Sequence, residues 1–270
     1  MRLPAAGGSL RAPFCSRAAG ASTVPPSPSA LDPDAPNAPH APGSFAAPAA
    51  TPWTQEFLRL VRHRFWLKFL GISGFMWLFF VAYFHVLRNP ARPVMDMPLT
   101  WVDQWVSFQP WAFWAYASLW VYVGIPAGAA PDLRSLIRHG AWAAALCAAG
   151  LACFYFWPTA VPAAGLAVGS AEHAGFAVLQ GLDAPGNACP SLHVATALFA
   201  AAWNHRLLAD LGAARWAYAL NALWAGLIVY STLAIKQHVF LDVVGGTLLA
   251  AVFAVLSLRF TAPGGHRPGR

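Results

Sequence analysis

Charge is scarce in this chain. Asp, Glu, Lys and Arg make up 10% of its 270 residues, whereas a soluble domain carries about 25%. A fully hydrated surface is therefore excluded. Cysteine is scarce too. The four present (Cys15, Cys147, Cys153 and Cys189) show neither CxxC metal spacing nor the density of a disulfide framework. Cys147 and Cys153 lie inside an apolar run and read as small lipid- or core-facing residues. Acids are outnumbered, and the formal charge is +7. The basic residues flank apolar stretches rather than interleaving with aromatics, which argues against a nucleic-acid partner. No internal repeat is visible. What is abundant is apolar matter: 58% hydrophobic residues, with thirteen Trp and eighteen Phe. That composition fits a polytopic membrane protein with aromatic belts at two lipid–water interfaces.

Three regions follow from composition. Residues 1–52 are rich in Ala, Pro, Ser and Gly without apolar periodicity, and read as a disordered tail. Residues 53–260 form the membrane domain, and 261–270 a short basic tail. Apolar runs at about 69–86, 111–130, 141–161, 194–208, 216–235 and 239–258 approach the roughly 20 residues needed to cross the hydrocarbon core. The fourth comes close to length when started at Ser191. The expected fold is all-α, a six-span transmembrane helical bundle with short interfacial helices in the extracytoplasmic loops.

Six spans place fourteen Lys and Arg on the side of both termini, against only Arg88, Arg92 and Lys236 opposite. The positive-inside rule then makes both termini cytoplasmic. The Ala- and Arg-rich composition suits a bacterial inner membrane, with the sparse face periplasmic. Three loops meet on that face: 87–109, 162–190 and the turn at 236–238. In the first, Leu99, Trp101, Val102, Trp105 and Val106 can form one face of an interfacial helix. In the second, Ser170 can cap a short helix running to about Gln180.

The chemistry-bearing residues fall on the same face. Cys189-Pro190-Ser191-Leu192-His193 opens the fourth span, and Ser231 to Asp242 joins the fifth to the sixth. His238 and Asp242 are four apart, so on a helix they share a face and can hydrogen-bond. Ionisable residues at membrane depth are functional candidates by default. A lone His, such as His85 or His173, is more simply an interfacial group; a pair with an i+4 Asp is a site.

PSLH followed by SxxxxxxHxxxD resembles the type 2 phosphatidic acid phosphatase superfamily, whose corresponding motifs read PSGH and SRxxxxxHxxxD. The PSLH form, with Asp183–Ala195 reading DAPGNACPSLHVA, is similar to the branch of inositol-phosphorylceramide synthases and related lipid phosphotransferases. The resemblance covers about 65–258. It implies that His238 is the nucleophile forming a phosphohistidine, that Asp242 orients and stabilises its ring, and that His193 is general acid then base. It implies that Ser191 and Ser231 hydrogen-bond the phosphate oxygens. The substrate would be a phosphorylated lipid or isoprenoid, with no metal or cofactor.

Two features depart from the family pattern. The basic motif expected after the third span is replaced by Trp157-Pro158-Thr159-Ala160-Val161-Pro162, and the Arg of SR is Thr232. Phosphoryl transfer needs charge on the equatorial oxygens neutralised. Lys236 and Arg92 are the expected phosphate-binding cations, Arg92 lying in a His85-x6-Arg92-Pro93 spacing that mimics the absent motif. Tyr155, Asn187 and Asp183 can line the site. Three other readings stand beside a phosphatase: an inositolphosphotransferase-like headgroup transferase, a non-catalytic lipid-binding or transport protein, and a metal-dependent hydrolase with His193, His238 and Asp242 as ligands. Substrate identity and oligomeric state are not legible in the sequence.

Overall fold

The computed structural model describes residues 52–162 and 186–260. The Ser170 helix and Asp183 lie outside them. The chain opens with α1 (Trp53–Arg62), an amphipathic helix whose Arg59 pairs with Glu56 on its exposed side. Arg64, in a left-handed conformation, turns the chain into α2 (Phe65–Arg88). α2 is apolar around its whole circumference and largely unburied, the pattern of a helix meant for lipid. Its Lys68 is the exception. The side chain is buried, and its ammonium donates to the carbonyls of Leu60 at 2.7 Å and Gly128 at 2.9 Å, so the charge is solvated by backbone dipoles.

After β1 (Met95–Asp96) comes α3 (Trp101–Trp105), started by a capping box in which Thr100 and Asp103 bond reciprocally. Trp101 and Trp105 point outward, 67% and 83% exposed. The run expected to be one span over 111–130 is three short helices, α4 (Ala112–Ala117), α5 (Leu119–Tyr122) and α6 (Ile125–Gly128), joined through right-handed helical residues at Ser118, Val123 and Gly124. Pro126 lacks the N–H a continuous helix would use.

α7 (Leu133–Phe156) begins eight residues earlier than the expected span. Asp132 caps it by accepting from the Ser135 N–H at 2.7 Å. Residues 133–140, outside the expected span, are therefore its first turns. β2 (Thr159–Ala160) pairs in parallel with β1, and Asn187 bridges to Thr159. The last three helices are α8 (Leu192–Asp210), α9 (Arg215–Ala234) and α10 (Phe240–Phe260).

Four helices, α2, α7, α9 and α10, are long and apolar enough to cross a membrane. The protein is a mostly helical integral membrane protein. α8 is the hub, packed on α7, α9 and α10. Three of its seven buried residues are alanines (Ala195, Ala197, Ala200), and Gly246 faces it from α10. Small residues let helix backbones approach closely where lipid offers no hydrophobic drive. At Gly246 the approach is so tight that a Cβ would stand 3.0 Å from Cβ of Val194 and overlap the Ser191 carbonyl oxygen.

Candidate active site

The backbone brings the two sequence motifs together at one end of the bundle. The Ser191 N–H donates to the Asp242 carbonyl at 3.0 Å, tying the start of α8 to the first turn of α10. Ser191 is wholly buried, and its hydroxyl oxygen accepts from the Val194 N–H at 3.3 Å, capping α8. His193, the second residue of that helix, is thereby aimed across at His238. Its Nδ1 lies 3.3 Å from Nε2 of His238.

His238 precedes α10 rather than sharing a helical face with Asp242. Their meeting is a capping geometry: Asp242 Oδ2 accepts from the Val239 N–H at 2.9 Å and stands 3.5 Å from His238 Nδ1. That separation is beyond ordinary hydrogen-bond range, and both His238 Nδ1 and the buried Asp242 Oδ1 lack a partner. Catalytic hydrogen bonds are commonly long before substrate binds.

Tyr116 of α4 completes the row, its hydroxyl 2.6 Å from His193 Nε2. One neutral tautomer set satisfies all three spacings. Tyr116 O–H donates to His193 Nε2, His193 Nδ1–H donates to His238 Nε2, and His238 Nδ1–H faces Asp242. This assignment comes from the network, as ring protons always must. It keeps the proton off His238 Nε2, whose lone pair accepts from His193 in this state.

The row also bears on the metal-ligand reading. His238 turns one nitrogen to Asp242 and the other to His193, so the three side chains line up instead of converging on one point. Among the described residues no three His, Cys, Asp or Glu groups are placed to hold a metal ion.

The remaining expected residues are placed differently. Ser231 is buried and donates back to the Ile228 carbonyl within α9 at 2.6 Å, and Thr232 does the same to Val229 at 2.8 Å. Lys236 adopts a left-handed φ of 60° and commits its ammonium to the carbonyls of Val106 and of Asp103, the latter at 2.8 Å. Burial pushes that ammonium below its ordinary range, against the opposing pull of the Asp103 carboxylate. Arg92 is exposed on the loop after α2. Tyr155 is outward, with its neighbour Phe154 lining the interior instead; Asn187 lines the same cavity as the two histidines.

Two residues that shape this site had no separate signal among the aromatics and loops. Tyr116 is one. Asp103 is the other: its Oδ1 accepts from the Phe240 N–H and its Oδ2 from the Thr100 N–H and hydroxyl, each at 2.7 Å. Asp103 thus clamps the start of α10 onto α3. The Thr100-x-x-Asp103 capping pattern marks a helix start, but not the helix it fastens.

Below the row lies a cavity of about 700 Å³ lined by α2, α4 to α8 and the 236–238 turn. Polar groups (Tyr116, Asn187, His193, Gln237, His238) crowd one end, and the rest is mostly apolar, with Tyr83, Thr196 and, toward the far end, His139 as its polar members. A polar, histidine-bearing mouth on an apolar cavity is a site for an amphiphile.

The family model of the PAP2 superfamily matches residues 158–264, a stretch that holds Ser191, His193, Ser231, His238 and Asp242. The match supports the type 2 phosphatidic acid phosphatase superfamily. With it comes support for an enzyme of the phosphatase or phosphotransferase type, embedded in a membrane and acting on a phosphorylated lipid. Neither a curated protein nor a solved structure matches the chain.

Proposed function

We propose that this chain is a membrane lipid phosphatase or phosphotransferase that works through a phosphohistidine on His238, at the extracytoplasmic end of a six-pass bundle. The observation that carries the reading is the aligned row Asp242, His238, His193 and Tyr116 at the mouth of an apolar cavity. The six passes would be α2, the broken path α4 to α6, α7, α8, α9 and α10. Lys68, Arg134, Arg138, Arg206, Arg215 and Arg259 then fall at or toward the end away from the histidines, which supports a cytoplasmic position for that end. In the same arrangement α3 lies at the opposite interface, where Trp101 and Trp105 suit headgroup depth.

In the first step the His238 Nε2 lone pair attacks phosphorus and the bond to the lipid oxygen breaks. His193 enters this step protonated on both ring nitrogens; the departing alkoxide takes its Nδ1 proton and leaves a neutral ring, while Asp242 closes on the imidazolium forming at His238. In the second step His193 accepts a proton from the acceptor, whose oxygen attacks phosphorus and frees His238. Water as acceptor gives hydrolysis; an alcohol gives headgroup transfer, including the inositolphosphotransferase-like case. Neither step calls for a metal or cofactor. The N-terminus of α8 adds partial positive charge beside His193, and Ser191 sits at that terminus. Arg92, exposed on the loop after α2, falls at the same end of the six-pass arrangement as the histidines. Lys236 would serve the phosphate only by exchanging its carbonyl partners, and Ser231 only by leaving its own helix.

The test is phosphate release by purified protein from lipid and isoprenoid phosphates, wild type beside His238→Ala. Turnover by wild type that falls to background in the variant, and that survives chelator, is the expected result. Absence of both phosphate release and transfer to added alcohol in the wild type would refute the reading and favour a non-catalytic lipid-binding role.

A further inference from the structure

The cavity is far longer than a phosphate site requires. Its lining on α2 runs from Phe84 down to Leu67, and on α7 from Phe154 down to Leu133. At a rise of about 1.5 Å per residue the α2 lining alone spans about 25 Å, most of the roughly 30 Å hydrocarbon core.

The far end is kept open by missing side chains. Gly71 on α2 and Gly140 on α7 both line the cavity, and a Cβ built on either meets no atom within 4 Å. Gly71 lies thirteen residues below Phe84 and Gly140 fourteen below Phe154, so each stands about 20 Å beneath the mouth. Glycine in a helix interior is unfavourable relative to alanine, and no close backbone approach at these two positions requires it. Open space is what they provide.

We propose that this cavity holds an apolar chain of the substrate, reaching past the mid-plane of the membrane, and that Gly71 and Gly140 set how long a chain is accepted. The inference rests on the lipid phosphatase or phosphotransferase reading and deepens it: the substrate is a phosphorylated lipid selected by the length of the chain it places here.

The experiment measures kcat/KM for two pairs of monophosphates, geranyl with geranylgeranyl and decyl with stearyl, and for dipalmitoyl phosphatidic acid. Wild type should favour the long member by about tenfold or more, since even one methylene in an apolar pocket discriminates on that scale. The pair with the higher kcat/KM tells which kind of chain it is. Gly71→Leu and Gly140→Leu should each lower the long-to-short ratio by about tenfold. A ratio unchanged in both variants, or a wild type that favours the long member of neither pair, overturns the inference while leaving the enzyme reading intact. Absence of turnover by wild type on all five refutes the enzyme reading instead. Should either variant fail to fold, a stearyl or geranylgeranyl phosphate with a terminal diazirine, photolysed in wild type, decides. Label on the segments holding Gly71 or Gly140 is the expected outcome, and label confined to other segments overturns the inference.

Discussion

Replacing Asp242 by Asn separates what this side chain does for the fold from what it does for chemistry. In the resting structure the carboxylate does one structural job, accepting the Val239 N–H at 2.9 Å through Oδ2. An asparagine oxygen in the Oδ2 position keeps that bond, and its NH₂ takes the place of the partnerless Oδ1. The shape and the cap survive; the charge does not. Its effect is felt only when His238 becomes cationic, with Nδ1 3.5 Å away. Two unit charges at about 4 Å interact by about 4 kcal/mol at an effective dielectric constant of 20, which corresponds to about a thousandfold in rate. We therefore expect Asp242→Asn to lower kcat for phosphate release by about 10³ with the unfolding midpoint in detergent nearly unchanged. Asp242→Ala should lose as much rate and also about 0.5–2 kcal/mol of stability, because the Val239 cap goes with it. The paired assay is phosphate release and thermal unfolding on the same preparations. An asparagine variant within tenfold of wild-type kcat would mean that no cation forms at His238, and the nucleophile assignment would fall with it.

Three further outcomes follow from particular contacts. Asp103→Ala leaves the Phe240 N–H without its acceptor, a loss of about 1–3 kcal/mol for a buried donor; hydrogen exchange at residues 236–242 should accelerate and kcat should fall with it. Gly246→Val forces α8 and α10 apart at the Ser191 carbonyl, and overpacking of this kind destabilises by about 1–3 kcal/mol or more, readable as a lowered unfolding midpoint. Burial pushes the Cys189 thiol up to about 11, so iodoacetamide should alkylate it very slowly near neutral pH and progressively faster as pH approaches that value, the thiolate being the reactive form. Rapid labelling of Cys189 at pH 7 by mass spectrometry would show that this loop opens.

Sequence alone determined the membrane character of this chain, because ten charged residues in every hundred cannot cover a water-facing surface. It also singled out His193, His238 and Asp242, since ionisable groups beside apolar runs have few reasons to be there. Their pairing was legible from a four-residue spacing, although the geometry proved to be a cap before α10 and not a shared helical face. Helix limits were less legible. Apolar length marks the hydrocarbon-crossing part of α7, but its start is decided by the Asp132 cap, a polar signal outside the run. Tertiary structure alone decided the rest. Tyr116 reaches His193 from 77 residues away and Asp103 reaches Phe240 from 137 away, and no local pattern encodes contacts at such separations. Lys236 reads as a spare cation until the carbonyls of Asp103 and Val106 are seen to hold it. The cavity is the furthest from the sequence: α2 is apolar on every side, so composition cannot tell a lipid-facing surface from the wall of an internal space. Only packing against α6 and α7 distinguishes them, because emptiness is a property of what neighbouring helices leave unfilled.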